Sequence, residues 1–237
     1  MKVRLKINGI LISVTVLLVV FFPRVFIRVN SWGWPAEILK IFGISLILLG
    51  QVLRVSARGY KAQHSREGSL LIVGGPYLLV RNPMYLGIFL IGSGITLVLF
   101  KLWVAAVLMI IFVLRYLPLT FEEEKKLRKI FPQEYRQYES RVHRMLPSWQ
   151  VLLSKNIGEY LPIQLPWIKK EIGSIFAVLF IVFFLRSSSS LNTGLRVYLH
   201  EAAAIIGVLL LFIVLVIYLI RRTKYLYKND SDRNKNN

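Results

Sequence analysis

Six apolar runs constrain this chain more than any other feature. They cover roughly Ile7–Ile27, Ala36–Ala57, Pro83–Phe100, Leu102–Leu117, Ile172–Leu191 and Ala202–Ile220. A helix needs about 20 mostly apolar residues to cross the hydrocarbon core, and fewer where polar ends snorkel. The expected fold is therefore all-α: a polytopic integral membrane protein of about six transmembrane helices, with a cytoplasmic amphipathic helical segment. The third and fourth runs make a tight hairpin around Lys101, each short for a full span, and Arg186 interrupts the fifth. Met1–Lys6 followed by an apolar run has the look of a signal peptide. Phe22-Pro23-Arg24 follows it instead of a small-residue cleavage site, so the run reads as a retained anchor.

Charge narrows the class further. Lys plus Arg is 31 against 12 for Asp plus Glu, a net +19. Such a balance points to nucleic acid or to an anionic membrane surface. The apolar runs decide between them: anionic lipids are the expected partner and nucleic acid is not. With the N-terminus placed in the cytoplasm, 25 of the 31 cationic side chains fall on the cytoplasmic side and six on the other. Both termini are accordingly expected in the cytoplasm. The chain has no cysteine, which excludes disulfides, thiolate metal sites and a cysteine nucleophile. His64, His143 and His200 are too scattered for a metal site, and none is expected. Three units follow: residues 1–57 with the first two spans, 58–170 as the core, and 171–237 with the last two spans and a polar tail. Composition leaves the oligomeric state open.

One stretch of the core is dense in special residues: Gly74 to Gly87, reading GGPYLLVRNPMYLG. Gly75-Pro76 forces a turn, and Pro83 suits the first position of a new helix, where its missing N–H costs nothing. Arg81 and Asn82 then lie beside a helix N-terminus, which attracts anions; a membrane-entry turn with a snorkelling Arg81 fits as well. Gly87, Gly92 and Gly94 thin one face of that helix for close packing. Further on, Thr120 and Glu123 have capping-box spacing, which accounts for one or two of the glutamates 122–124. Tyr135, Tyr138 and Val142 recur at three- and four-residue steps and so share the face of an amphipathic helix.

Three motifs in register carry a resemblance. Gly75-Pro76-Tyr77 with Arg81-Asn82-Pro83-Met84-Tyr85-Leu86-Gly87 is similar to the GPYxxVRHPxYxG signature of the isoprenylcysteine carboxyl methyltransferase and phospholipid methyltransferase superfamily. Glu123-Glu124-Lys125-Lys126-Leu127 resembles its EExxL, and Phe131, Tyr135, Tyr138, Arg141, Val142 and Pro147 its closing pattern. The similarity covers about residues 50–147. It implies an integral membrane enzyme that takes S-adenosylmethionine from the cytosol and a lipophilic substrate from the bilayer. Carried over by position, cofactor contacts fall on Gln63, Ser69, Leu70, Leu71, Ile72, Tyr77, Arg81, Asn82, Pro83, Met84, Tyr85 and Glu123. Substrate contacts are expected from Arg115, Tyr138 and Arg141.

Three positions depart from the pattern. Asn82 stands where the family has His, Pro132 where it often has Gly, and Leu119 where the carboxyl methyltransferases carry a substrate-binding Arg. The nearest arginine is Arg115, one turn further back. Methyl transfer from a sulfonium asks the protein mainly to place the nucleophile about 3 Å from the methyl and to exclude water. A carboxylate acceptor, isoprenylcysteine-like, would need only a cation such as Arg115 to orient it. An amine must first lose a proton, for which His64 and Glu124 are the candidate bases. The expected reaction is transfer to a lipophilic carboxylate, with a phospholipid or other lipid amine as the alternative. A related NADPH-dependent sterol-reductase-like enzyme and a non-catalytic protein binding anionic lipid through its basic faces complete the readings.

Overall fold

The computed structural model describes residues 21, 23–26, 34–65, 70–148, 160–173, 206–207 and 210–225. Most of the first and fifth apolar runs lie outside these residues, as do the start of the sixth and the polar tail. Among the described residues the chain is helical and forms no strand. Five helices build the core: α1 Trp34–His64, α2 Pro76–Leu79, α3 Pro83–Leu99, α4 Leu102–Ile130 and α5 Pro132–Arg141. Helical stretches at 165–173 and 210–225 pack beside α1.

α1 runs 31 residues, about 46 Å, and so continues past its apolar run. Polar groups toward its C-terminal end find partners. Ser56 Oγ donates to the Pro162 carbonyl at 2.6 Å, and Arg54 and Arg58 both pair with Glu171. α4 is longer than expected too. Its apolar run and the acidic stretch after it form one continuous helix through Pro118, so no new helix starts at Thr120. The Thr120 hydroxyl donates to the Leu117 carbonyl at 2.8 Å and does not cap Glu123. The capping-box spacing is unused because the preceding turn already supplies helical partners for those N–H groups.

Two helices, Ile38–His64 and Leu102–Ile130, are long and apolar enough to cross a membrane, while Pro83–Leu99 is apolar but shorter. α4 leaves Leu102, Val107, Ile110, Ile111, Val113 and Leu114 exposed along its length. An apolar face of that extent is stable against lipid and costly against water. The chain is a membrane-associated helical protein on this ground.

α1 and α3 lie antiparallel and touch through glycine. Gly43 faces Gly94, and Gly50 faces Gly87, with seven residues separating the pairs on each helix. A Cβ on Gly50 would stand 2.6 Å from the Gly87 carbonyl oxygen, and one on Gly87 would stand 2.9 Å from that of Gly50. Close approach of this kind lets helices gain dispersion contacts in lipid, where no hydrophobic force drives them together. Ile44, Ile47, Leu48, Val98 and Leu99 fill the seam beside the glycines. Gly92 does not belong to this face: a Cβ there meets nothing within 4 Å, because it lies about 140° around α3 from Gly87. Gly50→Val and Gly87→Val should therefore each lower stability by about 1–3 kcal/mol through overpacking. Gly92→Ala should leave it unchanged or slightly raised. Thermal unfolding in detergent separates the two outcomes.

Candidate functional site

The signature stretch folds around Tyr60 of α1. Gly75 adopts φ 57°, a conformation that glycine supplies without strain, and a Cβ there would sit 2.8 Å from the Tyr60 ring. The turn then closes through N–H groups of Tyr77 and Leu78, which donate to the carbonyls of Gly74 and Gly75. Pro83 opens α3 as the first-turn proline, with Leu86 N–H donating to the Asn82 carbonyl at 3.1 Å.

Below this turn a cavity of about 260 Å³ opens between three walls. Leu70, Leu71, Ile72 and Tyr77 form one, and Arg81 through Tyr85 with Ile88 continue it onto α3. The second wall comes from the end of α4 and from α5: Glu123, Leu127, Ile130, Phe131 and Tyr138. Lys61 and Ser65, at the end of α1, close the third side. Tyr138 ties the second wall to the first by donating its hydroxyl to the Tyr77 carbonyl at 2.7 Å. Burial pushes the phenol groups of Tyr77 and Tyr138 well above their ordinary range, so both stay neutral donors at any physiological pH.

Of the residues the sequence proposes for cofactor contact, ten line this one cavity: Leu70, Leu71, Ile72, Tyr77, Arg81, Asn82, Pro83, Met84, Tyr85 and Glu123. Gln63 does not; its amide oxygen accepts from Gln164 Nε2 at 3.1 Å. Ser69 lies outside the described residues. Among the expected substrate contacts Tyr138 lines the cavity, whereas Arg141 is exposed on α5 away from it. Arg115 is not a lining residue and lies about 12 Å along the helix axis from Glu123. His64 is stacked on Tyr60 with ring centroids 3.9 Å apart, its Nδ1 3.0 Å from the Tyr60 carbonyl.

Glu124 has a different setting from its neighbour. It is 2% exposed and sits behind the cavity wall, where it joins three segments. Asn82 Nδ2 donates to Oε1 at 2.8 Å; the donor must be the amide nitrogen, since a carboxylate only accepts. Arg144 makes a two-pronged pair with it, Nε to Oε1 at 3.0 Å and Nη2 to Oε2 at 2.9 Å. Arg81 Nε stands 3.6 Å away, and Arg81 Nη1 lies 2.6 Å from Glu139 Oε1. These Arg81 contacts are ion pairs, not aligned hydrogen bonds. Arg128 completes the cluster through Glu139, and the Arg144 guanidinium lies 3.9 Å above the Phe121 ring. Backbone bonds follow the same line: Arg81 and Asn82 N–H groups donate to the carbonyls of His143 and Arg144.

The motif reading missed Arg144 and Lys61. No single-sequence signal pairs Arg144 with Glu124, which is 20 residues away. Lys61 and Ser65 do share a helical face at four-residue spacing, a signal visible once α1 is known to run on to His64.

Residues 38–134 match the phospholipid methyltransferase family model. The match bears out the resemblance drawn from the three motifs and points to a membrane methyltransferase of the phospholipid or isoprenylcysteine type. Its bounds differ from those of the motifs: it takes in most of α1 and stops before Tyr135 and the rest of the closing pattern. Neither a curated protein nor a solved structure matches the chain.

Two measurements probe this geometry. Glu124→Leu leaves the Arg81 and Arg144 guanidinium groups without their buried partner and should cost about 3–5 kcal/mol. Glu123→Gln breaks no ion pair and should leave the unfolding temperature nearly unchanged. The second concerns pH. The Arg128 hydrogen bonds, followed by the Arg81 ion pair, hold the Glu139 carboxyl below the usual carboxylate range. A carboxyl depressed in the folded state stabilises above its unfolded pKa of about 4.3 and loses that contribution as pH falls through the folded value. The unfolding temperature should thus be flat above about pH 5 and drop below it. Glu139→Gln should start lower and show a shallower drop.

Proposed function

We propose that the protein is a multi-pass membrane methyltransferase that uses S-adenosylmethionine and methylates a lipophilic acceptor at the cytoplasmic face. One observation carries this reading: Tyr85 of the signature and Glu123 of the acidic motif line the same cavity. Six spans with both termini in the cytoplasm remain the topology that the charge distribution favours. The residues 58–170 form the catalytic unit in this reading, flanked by the spans on either side.

The cavity suits the cofactor chemically. When bound, S-adenosylmethionine supplies a methyl group already activated by its sulfonium. Tyr77 and Tyr85 offer aromatic faces to a cation, and Leu70, Leu71 and Ile72 offer apolar cover to a planar base. Glu123 can accept hydrogen bonds from amino or hydroxyl groups. Asn82 lines the cavity while its side chain is spent on Glu124, so it supports the wall without offering a titrating group.

The acceptor follows from which charges face inward. A carboxylate acceptor calls for a guanidinium at the cavity, but Arg115 is not there and Arg81 is engaged by Glu139 and Glu124. That leaves Lys61, a point charge without the two-pronged fit to a carboxylate. Glu123 is the lining group able to hold an ammonium and take its proton. A lipid amine is therefore the acceptor we favour over an isoprenylcysteine-like carboxylate. The family match supports methyl transfer over a nicotinamide-dependent reduction and over passive lipid binding.

Membranes carrying the protein, incubated with methyl-labelled S-adenosylmethionine and then fractionated, test this directly. Label should enter a lipid fraction and resist alkali. Alkali-labile label would establish the carboxylate acceptor instead, and absence of label from every lipid fraction would remove the reading. Tyr85→Ala and Glu123→Gln should each cut incorporation by about tenfold or more, the scale of one charge-assisted or aromatic contact.

A further inference from the structure

The cavity carries three charged side chains in its lining: Lys61, Arg81 and Glu123. Arg81 is spent on Glu139 and Glu124. Among the described residues, Lys61 and Glu123 have no ion-pair partner, although they line one cavity from opposite walls. Unpaired charges of opposite sign facing the same small space leave one of each for a ligand.

The position of Lys61 is built and not incidental. The segment 160–173 fixes the rotation of the last turns of α1. Trp167 packs flat over Gly59, Ser56 bonds to the Pro162 carbonyl, Gln63 is turned outward to Gln164, and Glu171 bridges Arg54 and Arg58. The Ile163 N–H in turn donates to Thr223 Oγ1 at 2.9 Å, anchoring the segment to the helical stretch 210–225. With Gln63 held on the far side, Lys61 and Ser65 face the cavity.

We infer that this cavity selects a zwitterion, with Lys61 holding the anionic end and Glu123 the cationic end. The inference rests on the methyltransferase reading above, in which two molecules carry such a pair of charges. One is the cofactor, through the carboxylate and ammonium of its amino-acid end. The other is an acceptor headgroup that joins a phosphodiester to an amine. Lys61 binds an anion in either case, as a compact point charge on a flexible stem.

Calorimetry on the full-length protein in detergent tests this with three probes. S-adenosylhomocysteine carries the amino-acid end, 5′-methylthioadenosine lacks it, and glycerophosphoethanolamine is a soluble phosphodiester amine. Lys61→Met should weaken one of the two zwitterions by about tenfold or more and leave 5′-methylthioadenosine unchanged. Lys61→Arg should restore most of the loss. The affected zwitterion should also lose affinity with rising salt in the wild type and much less so in Lys61→Met. Loss confined to S-adenosylhomocysteine assigns the anion to the cofactor, and loss confined to glycerophosphoethanolamine assigns it to the acceptor. Lys61 is exposed, so Lys61→Met should unfold at the wild-type temperature. If wild type binds and Lys61→Met binds both zwitterions equally well, or weakens all three probes alike, the inference is overturned while the methyltransferase reading stands. A wild-type protein that binds none of the three removes both.

Discussion

A buried carboxylate must be answered by positive charge and hydrogen-bond donors, and Glu124 is answered from two segments outside its own helix. Moving such a group out of water costs several kcal/mol, recovered only when its lone pairs are filled in good geometry. Asn82 and Arg144 fill them, Arg81 adds an ion pair, and all three lie outside α4. The turn before α3, the end of α4 and the strip after α5 are thereby held to one point. Arg81 and Asn82 line the cavity while Glu124 and Arg144 lie behind it, so an ion cluster at its back sets that wall.

The other wall depends on packing without charge. Paired glycines bring α1 and α3 within backbone contact, which fixes how the end of α1 meets the signature turn. Tyr60 then fills the space left by Gly74 and Gly75. A side chain on either glycine would push the turn away from α1 and open the cavity on that side. Helix contact in lipid relies on such fit, since neighbouring hydrocarbon solvates an apolar surface as well as another helix does.

Much of this was legible in the sequence, and the rest was hidden for identifiable reasons. Apolar run lengths gave the existence of α1, α3 and α4, and the proline at position 83 gave the start of α3. Three motifs in order brought ten side chains to one cavity before any distance was known. The end of α1 lies beyond Ala57 because Arg58, which pairs with Glu171, and the polar residues after it end the apolar run without ending the helix. Thr120 misled for the opposite reason: its local capping signal was genuine but lost to a helix already in progress. Glu123 lines the cavity as the motif implies, but Glu124, a candidate base in the sequence, does not, since a step of about 100° around α4 turns it to the arginines. Only the position of Arg144 shows this, and that position is tertiary.

The exchange of the family histidine for Asn82 can be understood on the same terms. What the position supplies here is a donor to a buried carboxylate, and both an imidazole and an amide can donate. They differ in that an imidazole also titrates near pH 6.5, so its bond to a carboxylate strengthens with protonation. An amide donates with constant strength across that range. Three arginines already stand within 4.0 Å of Glu124, so a fourth cation would add self-repulsion to the cluster while a neutral donor binds the carboxylate at no such cost. The exchange therefore retains the bond that shapes the cavity and removes a proton-dependent charge from beside it.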